Sequence, residues 1–346
     1  MDWLPLREKD LLETESQIMQ YRQLGKTEIR VSEIGFGAWA LGGQWGGQED
    51  RESIAALHKA LDCGMNFIDT AQGYGDGRSE RVIAEALRTR SEKVFVATKT
   101  PPDAGPWPPS PYCHHRDRYS SAYLRSNVEQ RLKNLGVECI DLLQLHTWTS
   151  AWNDDPQPLL DLRKLRDEGK IRWIGISTPE QDQSCVVELM RAGLVDTIQV
   201  IYNIFEQQPA AQILPVAAQT GTGVIVRCVF DEGVLTGKYT ADHQFPESDF
   251  RHRYFMGDRM ARSVKRVEAI EREVRQLGLD TKNSMADVAA LFALHHPAVS
   301  TVITGIRTES QAEKNAAISE KAPLSKEIMT RLQSHLWLRG VWYGGK

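Results

Sequence analysis

The sequence predicts an α/β fold, a closed (β/α)8 TIM barrel, on three observations. From about residue 33, short β-branched or apolar runs alternate with longer amphipathic ones, the pattern of repeated βα units around a parallel sheet. The short runs number eight. The length of 346 residues, 41% of them hydrophobic, suits one large barrel. A doubly wound open sheet is the alternative, but eight strands each followed by a helix match the closed form.

The strands are expected at EIGFGA (33–38), NFIDT (66–70), VFVATK (94–99), DLLQLH (141–146), IRWIGIS (171–177), TIQVIYN (197–203), GVIVRCV (223–229) and STVITGI (300–306). Between them run helical patterns. In 52–64, Ile54, Leu57 and Leu61 recur at helical spacing before Gly64, and in 159–170 Leu159, Leu162 and Leu165 do so before Gly169. Three segments fall outside the repeat. Residues 21–32 read as a β-hairpin turning at Gly25-Lys26, a plug for the barrel floor. Residues 100–120 hold six prolines and form a long loop after the third strand, where long loops carry function. Residues 263–278 read as a charged, amphipathic peripheral helix. Residues 1–18 are expected to be a disordered, dispensable extension, and 19–346 a single domain.

A net charge of −4 supplies no basic footprint for nucleic acid, and no apolar run is long enough to span a membrane. The N-terminal stretch lacks the pattern of a secretory signal, so the expected location is the cytoplasm. Five widely spaced cysteines suggest reduced thiols rather than a disulfide framework. The nine histidines include no HExxH. His114-His115 and His295-His296 are adjacent pairs that cannot share one helical face, so no metal is expected.

In a barrel the active site lies at the C-terminal ends of the strands. Asp69, Lys99 and His146 each close a strand there, and Tyr74 follows Asp69 in the loop AQGYGDG. Each has an ordinary structural reading: a helix cap, a surface charge, a core histidine, a loop anchor. Their convergence on one rim argues for chemistry. A phenol delivers a proton readily only if its phenolate is stabilised; Lys99 supplies that charge, Asp69 keeps Lys99 charged, and His146 can orient a carbonyl oxygen. None of the four donates a hydride, so a cofactor must.

At these residues the sequence resembles the aldo-keto reductases over roughly residues 20 to 340. The resemblance is carried by LGKTEIRVSEIGFGAWALGG, NFIDTAQGYGDGRSE, SNVEQRLKNLGVECIDLLQLH, LRDEGKIRWIGIS, VLTGKY and VITGIRTESQAEKN, in that order. It implies NADPH bound without a Rossmann domain and reduction of aldehydes or ketones by a tetrad matching Asp69, Tyr74, Lys99 and His146. It further implies that Ser177, Gln199 and Thr178, the last in place of the usual Asn, meet the nicotinamide carboxamide. Arg227 stands where many members place an aromatic that stacks on the nicotinamide, and its guanidinium is expected to stack there instead; its ordinary reading is a strand residue paired with Asp231 or Glu232. The loop holding Gly233, Leu235, Gly237 and Lys238 is expected to wrap the pyrophosphate with backbone amides, and Gly305, Arg307, Gln311 and Asn315 to seat the adenosine phosphate at a helix beginning near Ser310. NADPH is expected over NADH.

Trp39, Trp107 and Trp148, with Trp45 and Trp337, are candidates for the walls of the substrate pocket. Two further readings stand beside carbonyl reduction: a sugar or polyol dehydrogenase working oxidatively, and a cofactor-sensing regulatory subunit. The expected partner is a small-molecule carbonyl substrate, with neither nucleic acid nor membrane.

Overall fold

The computed structural model describes residues 19–43 and 45–342; the extension expected at 1–18 lies outside them. Two short strands, β1 (Tyr21–Gln23) and β2 (Arg30–Ser32), pair antiparallel ahead of the barrel. Eight strands then close on themselves: β3 (Ile34–Gly37), β4 (Phe67–Asp69), β5 (Phe95–Thr100), β6 (Ile140–Leu145), β7 (Ile171–Ser177), β8 (Thr197–Ile201), β9 (Gly223–Arg227) and β10 (Val299–Gly305). Each pairs in parallel with its successor, and β10 returns to β3. All eight expected strands are present, each end within two residues of its expected place; His146 falls just past the end of β6.

The hairpin is the floor. Leu24, Ile29 and Val31 are buried and pack with Phe67, Phe95, Ala97, Leu142, Ile225 and Ile303 in a core separate from the one between barrel and helices. Side chains along a strand alternate faces, so the residue two places beyond each of these barrel members also points inward, nearer the rim. Beyond Phe95 that residue is Ala97, itself part of the floor; beyond the other five they are Asp69, Lys99, Gln144, Arg227 and Gly305. The apolar floor thereby places a polar layer directly above it.

Helices cover the outside. In Asp50–Asp62 the residues Ala56, Leu57, Ala60 and Leu61 are buried against the sheet, and Gln157–Asp167 buries Leu159, Leu162 and Leu165 at the predicted spacing. The charged helix begins earlier than its pattern suggested, at Arg259, and runs to Gln276. It buries Val264, Val267, Ile270 and Val274 on one stripe, and Met285–Leu294, buried at every residue but Ala286, belongs to the same coat. Among the described residues no helix is long and apolar enough to cross a membrane, and all five cysteines are free thiols.

Gly25 fixes how closely the plug approaches the barrel. Its φ of +57° suits glycine, and a Cβ there would meet the amide nitrogen of Gly223 at 2.2 Å and the carbonyl oxygen of Gly221 at 2.5 Å. Both obstacles are backbone and cannot rotate away. Gly25→Ala is expected to lower stability by about 2 to 4 kcal/mol in urea unfolding; a midpoint equal to wild type would show that the hairpin does not seal the floor.

Candidate active site

The rim layer is organised around a buried ion pair. Lys99 and Asp69 are almost wholly buried, with Nζ of Lys99 2.5 Å from Oδ2 of Asp69. The ammonium also donates to the Thr70 carbonyl at 2.9 Å and to the Tyr74 hydroxyl at 3.3 Å, so its three hydrogens have three acceptors. The second oxygen of Asp69 accepts from Nε2 of Gln199 at 2.7 Å and from Nε2 of Gln144 at 3.2 Å. Sequence reasoning missed Gln144. Its signal was there, a lone amide on the inward phase of the apolar strand DLLQLH.

Burial pulls the Lys99 ammonium down, but Asp69 and then Tyr74 outweigh it, and the group ends above its ordinary pKa. For Tyr74 burial pushes the phenol up and Lys99 offsets only part of that, so the net shift is upward. The expectation that Lys99 favours the phenolate is correct as a contribution, but burial is the larger effect. The resting hydroxyl therefore carries its proton.

Around this corner aromatic rings enclose the hydroxyl. Trp39 stacks on Tyr74 with centroids 6.0 Å apart, His146 meets Tyr74 edge-on at 6.0 Å, and Trp107 meets His146 edge-on at 5.1 Å. All four line one cavity of about 1560 Å³, which continues past Ser177, Thr178, Gln199 and Arg227 to Gly233 and Lys238, and on to Gly305, Arg307, Gln311 and Asn315. Trp45 lines it too, bridged to Asp249 and 5.5 Å from the ring of Phe250.

Several expectations are corrected by position. Trp148 is fully buried, packed on Trp152 with its indole N–H on Asn153, and it does not line the cavity. Trp337 packs on Phe205 and Trp342, also off the cavity lining. Leu235 and Gly237 lie off the lining as well: the chain at Val234–Thr236 winds into a 3-10 turn. The amides of residues 233–237 donate to carbonyls of that turn and of residues 230–231, leaving Thr236 and Lys238 as the side chains facing the cavity there.

Arg227 does not take Asp231, which Arg339 holds through both oxygens; it donates to the Thr178 carbonyl at 2.9 Å, and its buried Nε has no partner among the described residues. Nearby, burial pushes the Glu232 carboxyl up to about 7. Arg307 is not a solvated charge. It donates to Gln48, to the Trp45 carbonyl at 2.8 Å and to the Gly47 carbonyl at 3.1 Å, pinning the loop after β3. The helix beside it is Glu309–Ala316, capped by Thr308 and beginning one residue before Ser310.

The lining suits an extended dinucleotide. The volume exceeds that of ordinary small-ligand pockets. Amide and hydroxyl groups (Ser177, Gln199) lie at the Tyr74 end, Arg227 beside them carries an unsatisfied buried donor, and Lys238, Lys314 and Asn315 lie farther along. Thr178 spends its hydroxyl hydrogen on Gln183 or the Gln199 carbonyl, which leaves it only as an acceptor.

The family model described as the Aldo/keto reductase family matches residues 33–336. The chain is 32% identical over 313 residues to Aldo-keto reductase YhdN of Bacillus subtilis (strain 168), covering 87% of this chain and 88% of that one. It is 29% identical over 308 residues to the NADH-specific methylglyoxal reductase of Escherichia coli (strain K12), covering 85% and 91%. Among solved structures, the glycerol dehydrogenase AKR11B4 from Gluconobacter oxydans superposes with a TM-score of 0.73 at 28% identity, covering 91% of this chain and 94% of that one.

Removing one member of a buried ion pair strands the other. Asp69→Asn, which keeps the shape and an acceptor for the two glutamines, is expected to cost about 3 to 5 kcal/mol in urea unfolding. A loss below about 1 kcal/mol would mean that water already reaches Lys99.

Proposed function

As the chain belongs to the aldo/keto reductase family, oxidoreductases that use nicotinamide cofactors, we propose that it reduces small aldehydes or ketones to alcohols with Tyr74 as the general acid. One observation carries the reading: the Tyr74 hydroxyl borders the cavity while lying 3.3 Å from an ammonium that Asp69 keeps charged. A bound nicotinamide dinucleotide supplies the hydride that the carbonyl carbon gains. Tyr74 gives its proton to the carbonyl oxygen, and Lys99 stabilises the phenolate left behind. His146 orients that oxygen, and Trp39 and Trp107 keep water from it. Ser177 and the side-chain amide oxygen of Gln199 would hold the carboxamide, and the Arg227 guanidinium would stack along the nicotinamide.

Tyr74→Phe keeps the ring and deletes the proton. It is expected to reduce carbonyl turnover by about 10²-fold or more while leaving dinucleotide binding, read by fluorescence quenching, unchanged. Near wild-type turnover would assign the acid to another group. The likeness to a glycerol dehydrogenase favours polyol oxidation as a second reading. There Tyr74 must first lose its proton, and burial raises its pKa. Oxidation is therefore expected to climb with pH into the alkaline range, while reduction holds to pH values above the ordinary tyrosine pKa of about 10. A reduction rate already falling near neutrality would contradict that protonation state.

NADPH is the proposed form over NADH, through Lys314 and the two guanidinium hydrogens that Arg307 does not spend on the loop after β3. Lys314→Ala is expected to weaken NADPH by about 1.5 to 3 kcal/mol and leave NADH unchanged. Arg307→Ala also frees residues 45–48, so it should weaken both dinucleotides, NADPH more. Equal wild-type affinities in titration would overturn the preference, and tighter binding of NADH would make the chain resemble its NADH-specific relative instead.

A further inference from the structure

The proline-rich loop after β5 carries a cluster that carbonyl reduction does not use. His114 lies in extended backbone and His115 opens the short 3-10 turn His115–Asp117. The helical-face argument against adjacent histidines therefore does not apply, and their rings come within 4.3 Å of each other, centroid to centroid. His115 is 2% exposed; its Nε2 is 2.8 Å from Oδ2 of Asp155 in the loop after β6, and its Nδ1 has no hydrogen-bond partner among the described residues. His114 accepts the Arg116 amide at Nδ1, which leaves Nε2 available. One ligand atom from each of His114, His115 and Asp155 lies within 4.8 Å of the other two.

We propose that His114, His115 and Asp155 form a binding site for a divalent cation of the zinc class, which ties the loop after β5 to the loop after β6. Two imidazoles and one carboxylate with solvent in the fourth position form a donor set that suits Zn²⁺. Tetrahedral bonds of about 2.0 Å place ligand atoms about 3.3 Å apart, so sides of up to 4.8 Å must close to that length while the 2.8 Å contact between His115 and Asp155 opens. His114 and Asp155 are exposed and can move, while buried His115 is the fixed corner. The positive charge of Arg116 acts on Asp155. It penalises a cation held by charge alone and favours one held by imidazole bonds over Mg²⁺ or Ca²⁺. The same loop carries Trp107, which lies edge-on to His146, so a bound ion stiffens the chain that borders the reacting corner.

The test is calorimetric titration of the untagged, chelator-treated full chain with Zn²⁺, and separately with Mg²⁺. Saturable binding of one Zn²⁺ per chain is expected, with no Mg²⁺ response. Affinity should fall about tenfold or more in both His114→Ala and Asp155→Asn, and should be unchanged in Cys113→Ser. Circular dichroism checks that the variants fold, and the electronic spectrum of the Co²⁺-loaded wild type, expected to lack thiolate charge transfer, reads the ligands without any substitution. Absence of Zn²⁺ binding would overturn the assignment. So would binding that survives both ligand variants, or a thiolate spectrum abolished by Cys113→Ser.

Discussion

A lysine ammonium in the interior of a β-barrel has to be neutralised and fully hydrogen-bonded, and much of the upper barrel follows from how this chain meets that demand. Lys99 spends its three hydrogens on Asp69, Thr70 and Tyr74, and Asp69 in turn accepts from Gln144 and Gln199. Four different strands thus contribute to one network. An isolated buried charge costs several kcal/mol, so none of these groups can be withdrawn without exposing another. The same compensation that makes the pair tolerable places a proton-bearing phenol beside a permanent cation at the cavity edge.

The position of that network is set from below. The hairpin plug and its apolar contacts fill the floor, and the period-two alternation of strands then places the polar residues one layer higher. Above the polar layer the constraint loosens. Loops supply the cavity walls, and their contacts are with one another: Arg307 with residues 45–48, Arg251 with Asp249 and the ring of Trp45, Arg339 with Asp231. Strands hold the polar network, and loops shape the cavity above it.

The barrel, its eight strands and the rim positions of Asp69, Tyr74, Lys99 and His146 were all legible in the sequence. These depend on local regularities: alternation within a strand, helical spacing between strands, and the rule that strand ends face the rim. The hairpin was legible for the same reason, since a turn at Gly25 reflects backbone geometry available to glycine. What escaped were partnerships between distant segments. Gln144 reaches Asp69 across 75 residues of sequence, Arg307 reaches Gly47 across 260, and His115 reaches Asp155 across 40. Trp148 and Trp39 look alike as aromatic loop residues, yet one faces the core and the other the cavity, a choice made by which neighbours fill the space.

The sequence by itself therefore determined the class of fold, the order of its elements and the set of residues capable of proton delivery, because each of these is written in spacings of two to four residues. Only the tertiary structure decided which side chains are already engaged. The amides of residues 233–237 are consumed within their own turn, Arg307 is committed to a loop, and burial outweighs Lys99 in setting the Tyr74 proton. Whether a donor is free, or a charge dry, depends on every atom packed around it, and those atoms come from parts of the chain that no local pattern connects.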